Sequence, residues 1–201
     1  MMNKKVLLGS LALSLGLVSA GNGVFAATPS FGLEGVKSVA VSALGKEGPG
    51  TISNLTVKSI IPLLVHAKAL YTYSNRGGTT YQPETFQYHG MEYRFLSSDL
   101  GTRQKLMNYI KRAYTHNAAA FYVQTQFMEQ SGRMAQVNAD VDNSLRYDKA
   151  TAHMMSKTAT TAVFELSVPQ ANGQGPNESV VVKLKKVNGY WRIDMSPDTL
   201  F

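Results

Sequence analysis

The stretch SVVVKLKKVNGYWRI, residues 179–193, reads as two strands joined by a turn. Val180, Val182 and Leu184 alternate with other residues at the period of two that marks a half-buried strand. Asn188-Gly189 supplies the pair that most readily takes positive φ in a two-residue hairpin, and Trp191 and Ile193 bring the chain back on the same buried face. Upstream, Ala162, Phe164, Leu166 and Val168 alternate in the same way up to Pro169, and Ala150 to Met155 predicts one more strand. The last third of the chain is an antiparallel meander.

Ahead of it the period changes. Ile60, Leu63, Leu64, Ala67 and Leu70 recur at helical spacing and predict a helix that ends near Asn75, before Arg76-Gly77-Gly78; Pro62 belongs in its first turn, where a missing N–H costs nothing. Phe86 and Tyr88, then Met91, Tyr93 and Phe95, alternate on either side of His89-Gly90 and predict a hairpin. Thr102 caps a second helix with Leu106, Ile110 and Ala113 inward and Arg103, Lys105, Lys111 and Arg112 in water. Thr115 caps a third, with Ala120, Val123 and Phe127 on one stripe and Gly132 as its stop. Helices followed by a meander give a single α+β domain: about three helices packed on one curved antiparallel sheet of roughly six to eight strands.

The N-terminus states where the chain works. Residues 1–26 carry a cationic lead (Lys4, Lys5), an apolar run from Val6 to Val18 and small residues before a cut after Ala26, the pattern of a secretory signal peptide. No later stretch approaches the roughly 18 to 20 apolar residues that a membrane span needs. Residues 27–56, rich in Gly, Ser, Ala and Thr and broken by Gly48-Pro49-Gly50, read as an arm or linker with one short ordered segment at Val36 to Ala43; residues 57–201 form the domain. Cysteine is absent, which removes disulfides, thiol nucleophiles and thiolate metal sites and suits export from a Gram-positive cell. Loss of residues 1–26 lowers the net charge from +7 to +5. A basic exported surface favours anionic cell-wall polymers over nucleic acid.

Catalytic signatures are missing. His66, His89, His116 and His153 fall on different elements with no zinc spacing, and neither a nucleophile elbow nor a phosphate-binding glycine loop occurs. Asp140 and Asp142 stand two residues apart in QVNADVDNSL, residues 136–145, a placement unlike the separated acid and base of glycoside hydrolysis. Asp140-x-Asp142-x-Ser144 imitates the start of a calcium loop, but Leu145 replaces the turn glycine and Thr151 the bidentate glutamate. The expectation is a non-enzyme without cofactor or metal, and the acidic knuckle is either a solvated turn or a contact element.

Longer segments carry a resemblance. HAKALYTYS (66–74), RGGTT (76–80), ETFQYHGMEYRFLSSDLGT (84–102), GRMAQ (132–136) and the closing GYWRI (189–193) resemble the secreted DL-endopeptidase inhibitors, the IseA-like proteins of Gram-positive bacteria. The resemblance implies a secreted monomer that inhibits peptidoglycan-cleaving enzymes of the NlpC/P60 cysteine-peptidase type, restraining autolysis and cell separation. It also implies a protruding acidic loop that enters the enzyme cleft. Here that loop is Val137, Asn138, Ala139, Asp140, Val141, Asp142, Asn143 and Ser144, with Asp140 as the counterpart of the family's acidic residue. Ala139 and Val141 stand where the family pattern has glycines, and Arg146-Tyr147 where it has a tryptophan-containing segment. The rival expectation is a wall-binding or ligand-binding module of NTF2-like or cystatin-like kind, with its affinity in a concave sheet pocket.

Overall fold

The computed structural model describes residues 48–79, 82–139 and 144–201. The expected signal peptide, the segment Val36 to Ala43 and most of the expected arm lie outside the described residues. Three helices and eight strands follow: α1 (Val57–Asn75), β1 (Thr85–Tyr88), β2 (Met91–Phe95), α2 (Arg103–Ile110), α3 (His116–Gln126), β3 (Met128–Gln130), β4 (Arg133–Val137), β5 (Thr151–Lys157), β6 (Thr161–Val168), β7 (Glu178–Val187) and β8 (Tyr190–Ile193). The class is α+β, as the sequence predicts. The strands divide over two four-stranded antiparallel sheets, ordered β1-β2-β4-β3 and β5-β6-β7-β8.

The second sheet is the meander read from the sequence. Its strands pair in sequence order, and β7 meets β8 through Val187↔Tyr190 around Asn188 and Gly189, at φ 50° and 85°. The inward residues Ala162, Phe164, Leu166, Val168, Val182, Leu184, Trp191 and Ile193 are all buried and join α1, α2 and α3 in one core. Full burial of each large apolar side chain there contributes about 1.5–3 kcal/mol. The hairpin at His89 and Gly90, φ 49° and 78°, closes as expected through Tyr88↔Met91.

The first sheet gains a second hairpin, β3–β4, which pairs with β2 and which the sequence reading missed. Gly132 therefore does not stop α3. The helix ends at Gln126, and Ser131 and Gly132, φ 51° and 75°, form the turn between β3 and β4. The period was hidden because the buried residues of β4 are Met134, Ala135 and Gln136, a run with no apolar alternation.

Helix starts follow their caps. Thr102 Oγ1 accepts from Lys105 N at 3.3 Å and Thr115 Oγ1 from Ala118 N at 3.3 Å. At α1 the Thr56 N–H donates to Ser59 Oγ at 2.8 Å. Pro62 lies deeper in α1 than its first turn. Proline removes the N–H that Lys58 O would accept, and Pro62 and Lys58 are both on the exposed side of the helix, where the carbonyl is open to solvent. Ala113, expected on α2, lies in the turn beyond Ile110 and is still fully buried. On α3 the buried stripe is Ala118, Ala119, Tyr122 and Val123, with Ala120 only partly buried.

Of residues 27–56 the described part belongs to the packed body. Ile52 and Leu55 are 4% and 1% exposed, Ile52 O accepts from Trp191 N at 2.8 Å, and Leu55 O accepts from Lys157 Nζ at 2.7 Å. Two apolar side chains seated in the core bring the start of the packed chain ahead of Val57.

Candidate functional site, the foot of the acidic loop

β4 ends at Val137, and the chain re-enters the described body at Ser144. Asp140, Val141, Asp142 and Asn143 lie outside the described residues; Val137, Asn138, Ala139 and Ser144 are their exposed flanks. Both flanks are held, and both by contacts that reach α1.

On the leading side the holder is Arg94 of β2. Its Nη1 donates to Asn138 Oδ1 at 3.2 Å and its Nη2 to Ala139 O at 3.2 Å, while Nη2 also donates to Asn75 O at the end of α1. Gln136, 4% exposed, donates its Nε2 to the same Asn75 carbonyl. Asn75 is fixed in turn: its Oδ1 accepts from Tyr122 Oη at 2.9 Å, and Tyr122 Oη lies 3.3 Å from Ser74 Oγ. Burial pushes the Tyr122 phenol well above its ordinary pKa, so it stays a neutral donor. Asn138 N–H donates to Glu92 O at 2.8 Å, and its side-chain amide to the Glu92 carboxylate. Glycines end α1 beside this network. Gly78, at φ +88°, has no room for a side chain, because a Cβ there would fall 1.9 Å from Ser97 Oγ.

On the trailing side Lys68 of α1 donates its Nζ to Leu145 O at 2.7 Å and lies 5.7 Å from the centre of the Tyr147 ring. Ser144 O accepts from Ala171 N at 2.5 Å, and Arg146 N donates to Pro169 O at 2.9 Å. Arg146 grips Asp148 through two hydrogen bonds of 2.9 and 2.8 Å, which hold that carboxyl down at about 2. Tyr147 is buried, its hydroxyl donates to Leu200 O, and desolvation raises it to about 12.

Two hollows flank the segment. A groove of about 550 Å³ runs between α1, at Val65, Lys68, Thr72 and Arg76, and the strap Leu145 to Asp148. A smaller hollow of about 270 Å³ opens at the foot of the leading flank, lined by Asn75, Tyr93, Phe127, Met128, Val137 and Ala139. The four histidines stay on separate elements, as the sequence implied. Arg94, Lys68 and Asn75 are the site residues that sequence reasoning missed, since contacts across 44 to 77 residues leave no mark on local spacing.

Comparison with known proteins gives the family. A family model described as the IseA DL-endopeptidase inhibitor matches residues 51–198. The chain belongs to that family. The match begins at Thr51, next to the buried Ile52, and runs through both sheets. A relative from Bacillus subtilis (strain 168), the uncharacterized protein YoeB, is 32% identical over 111 residues, spanning 55% of this chain and 61% of the relative. Among the described residues no helix is long and apolar enough to cross a membrane.

Proposed function

We propose that this member of the IseA family is a secreted inhibitor of peptidoglycan DL-endopeptidases of the NlpC/P60 type, and that residues 137–144 enter the enzyme cleft. The carrying observation is the double tether of the segment, Arg94 to Ala139 O on one side and Lys68 to Leu145 O on the other. A plug bound in a cleft loses affinity in proportion to the freedom it gives up. Flanks already fixed to α1 give up little freedom when the segment binds. Asp140 and Asp142 place negative charge on a chain of net +7, and opposite charge in the cleft raises the encounter rate. The basic body holds the protein near the anionic wall, where such enzymes work. It acts as a monomer, outside the cell, with no cofactor and no turnover of its own.

The rival, a pocket in a concave sheet, meets a filled surface. Phe164, Leu166, Val168, Val182 and Leu184 on the inward face of the second sheet are all 2% exposed or less. The test is hydrolysis of purified peptidoglycan by an NlpC/P60 DL-endopeptidase domain, with the wild type beside the Asp140→Lys, Asp142→Lys variant. Stoichiometric inhibition by the wild type alone supports the plug. Inhibition by neither overturns it, and equal inhibition by both moves the contact elsewhere.

A further inference from the structure

The outer face of an antiparallel sheet is ordinarily polar. That of the first sheet is not. Phe86, Tyr88, Met91, Tyr93 and Val137 share it through the pairs Phe86↔Tyr93, Tyr88↔Met91 and Tyr93↔Val137, with Phe95 and Ala135 of the next pair on the same face but buried. Phe86 and Tyr93 stack with ring centres 5.6 Å apart, and Tyr88 meets Tyr93 edge-on at 6.1 Å. Tyr88, Met91 and Val137 are 44%, 47% and 39% exposed, so a connected apolar strip lies open to water. Its aromatic rings are already locked by one another, so little side-chain freedom is lost when a partner covers them.

We infer that this strip is the second half of the inhibitory interface: the endopeptidase that receives residues 140–143 in its cleft rests an apolar part of its basic rim on Tyr88, Met91, Tyr93 and Val137. The inference rests on the proposed function and names the surface that continues it. Two observations select this occupant. The strip runs unbroken into the loop, because Val137 is at once its edge and the last residue of β4, and the hollow between Tyr93, Val137 and Ala139 has room for a partner side chain. Carboxylates accompany it: Glu92 lies beside Asn138, Asp140 and Asp142 follow in the sequence, and Arg133 and Arg94 are engaged, the first with Glu84 at 2.7 Å and over the Phe95 ring at 3.9 Å, the second with the flank at Ala139. An aromatic and methionine surface next to such carboxylates matches an apolar spot framed by a basic rim.

The two halves carry different kinetic signatures. Loss of loop charge slows association and changes its salt dependence, while loss of an apolar contact speeds dissociation. Binding of the full mature chain to an active-site-inactivated NlpC/P60 domain is measured at two salt concentrations, together with inhibition of the active enzyme. The proteins are wild type, Tyr88→Ser with Met91→Ser, Met91→Lys alone, and Asp140→Lys. The double variant is expected to lose about ten- to thirtyfold in affinity, mostly in dissociation rate, with an unchanged melting temperature. Met91→Lys, which replaces one side chain at the exposed end of the strip, is expected to move the same way and decides the matter if the double variant proves unstable. If both strip variants bind like wild type while Asp140→Lys does not, the strip is no interface and the plug stands alone. If wild type fails to inhibit, both ideas fall. If the strip variants instead turn a dimer of this chain into monomers on gel filtration and keep full inhibition, the strip belongs to a second copy and the inference is overturned.

Discussion

The two sheets have equal strand numbers and opposite uses. Strands β5 to β7 are long, pair over most of their length and press an unbroken apolar face onto the helices. Strands β1 to β4 run three to five residues, give the core cluster mainly Met134, and leave Phe86, Tyr88 and Tyr93 partly or largely uncovered. Burial is concentrated in the second sheet, and the proposed recognition surface belongs to the first. A single core links them, so the small sheet works as a mount for a loop instead of an independent unit.

That division is broken most sharply in the core. Phe164→Ala removes a fully buried ring and is expected to cost about 3–5 kcal/mol in denaturant unfolding. Tyr88→Ala in the first sheet is expected to change stability by less than about 1 kcal/mol, because Tyr88 is 44% exposed and lies outside the core. Similar costs for the two would erase the contrast. Next in size is Gly78→Ala, which combines a positive φ with a Cβ inside contact distance of Ser97 and is expected to cost about 2–3 kcal/mol by thermal unfolding. A smaller effect on folding but a larger one on function is expected for Arg94→Met, which keeps the aliphatic stem and loses the clamp on Asn138 and Ala139. Inhibition should weaken about tenfold while the unfolding midpoint moves little, with Arg94→Lys restoring part of it.

The smallest effect is a pH slope. Burial, followed by the nearby charges of Arg112 and Arg192, lowers the pKa of His66, so the folded state takes up a proton less readily than the unfolded chain. Stability is full above the ordinary histidine value of 6.5 and falls as pH drops below it. His66→Gln should flatten that slope below about pH 6.5 in urea titrations.

Much of this was written in local pattern. The meander, the His89-Gly90 and Asn188-Gly189 turns, the threonine caps and the end of α1 follow from period, positive-φ residues and side-chain acceptors within three residues. The β3–β4 hairpin was not legible because β4 buries an alanine and a glutamine in place of alternating large side chains. Without that hairpin the strands could not be sorted into two sheets. Asp140 and Asp142, the acidic interruption read from the sequence, lie outside the described residues, and the mounting of their flanks was not legible. Arg94 reads locally as one more basic residue in a strand, and Lys68 as a solvated helix face, until the fold brings them to Ala139 and Leu145.

The double tether to α1 has a further consequence for a protein that meets peptidases. A cut within residues 140–143 would leave two chain ends, each still bound to the body: one by Arg94 and Glu92, the other by Lys68, Ala171 and Pro169. The nicked protein should remain one particle on gel filtration and separate into two fragments only under denaturing conditions. On the proposed function, cleavage would then not release a bound enzyme, because the flanks at Asn138-Ala139 and Leu145 stay clamped to the body.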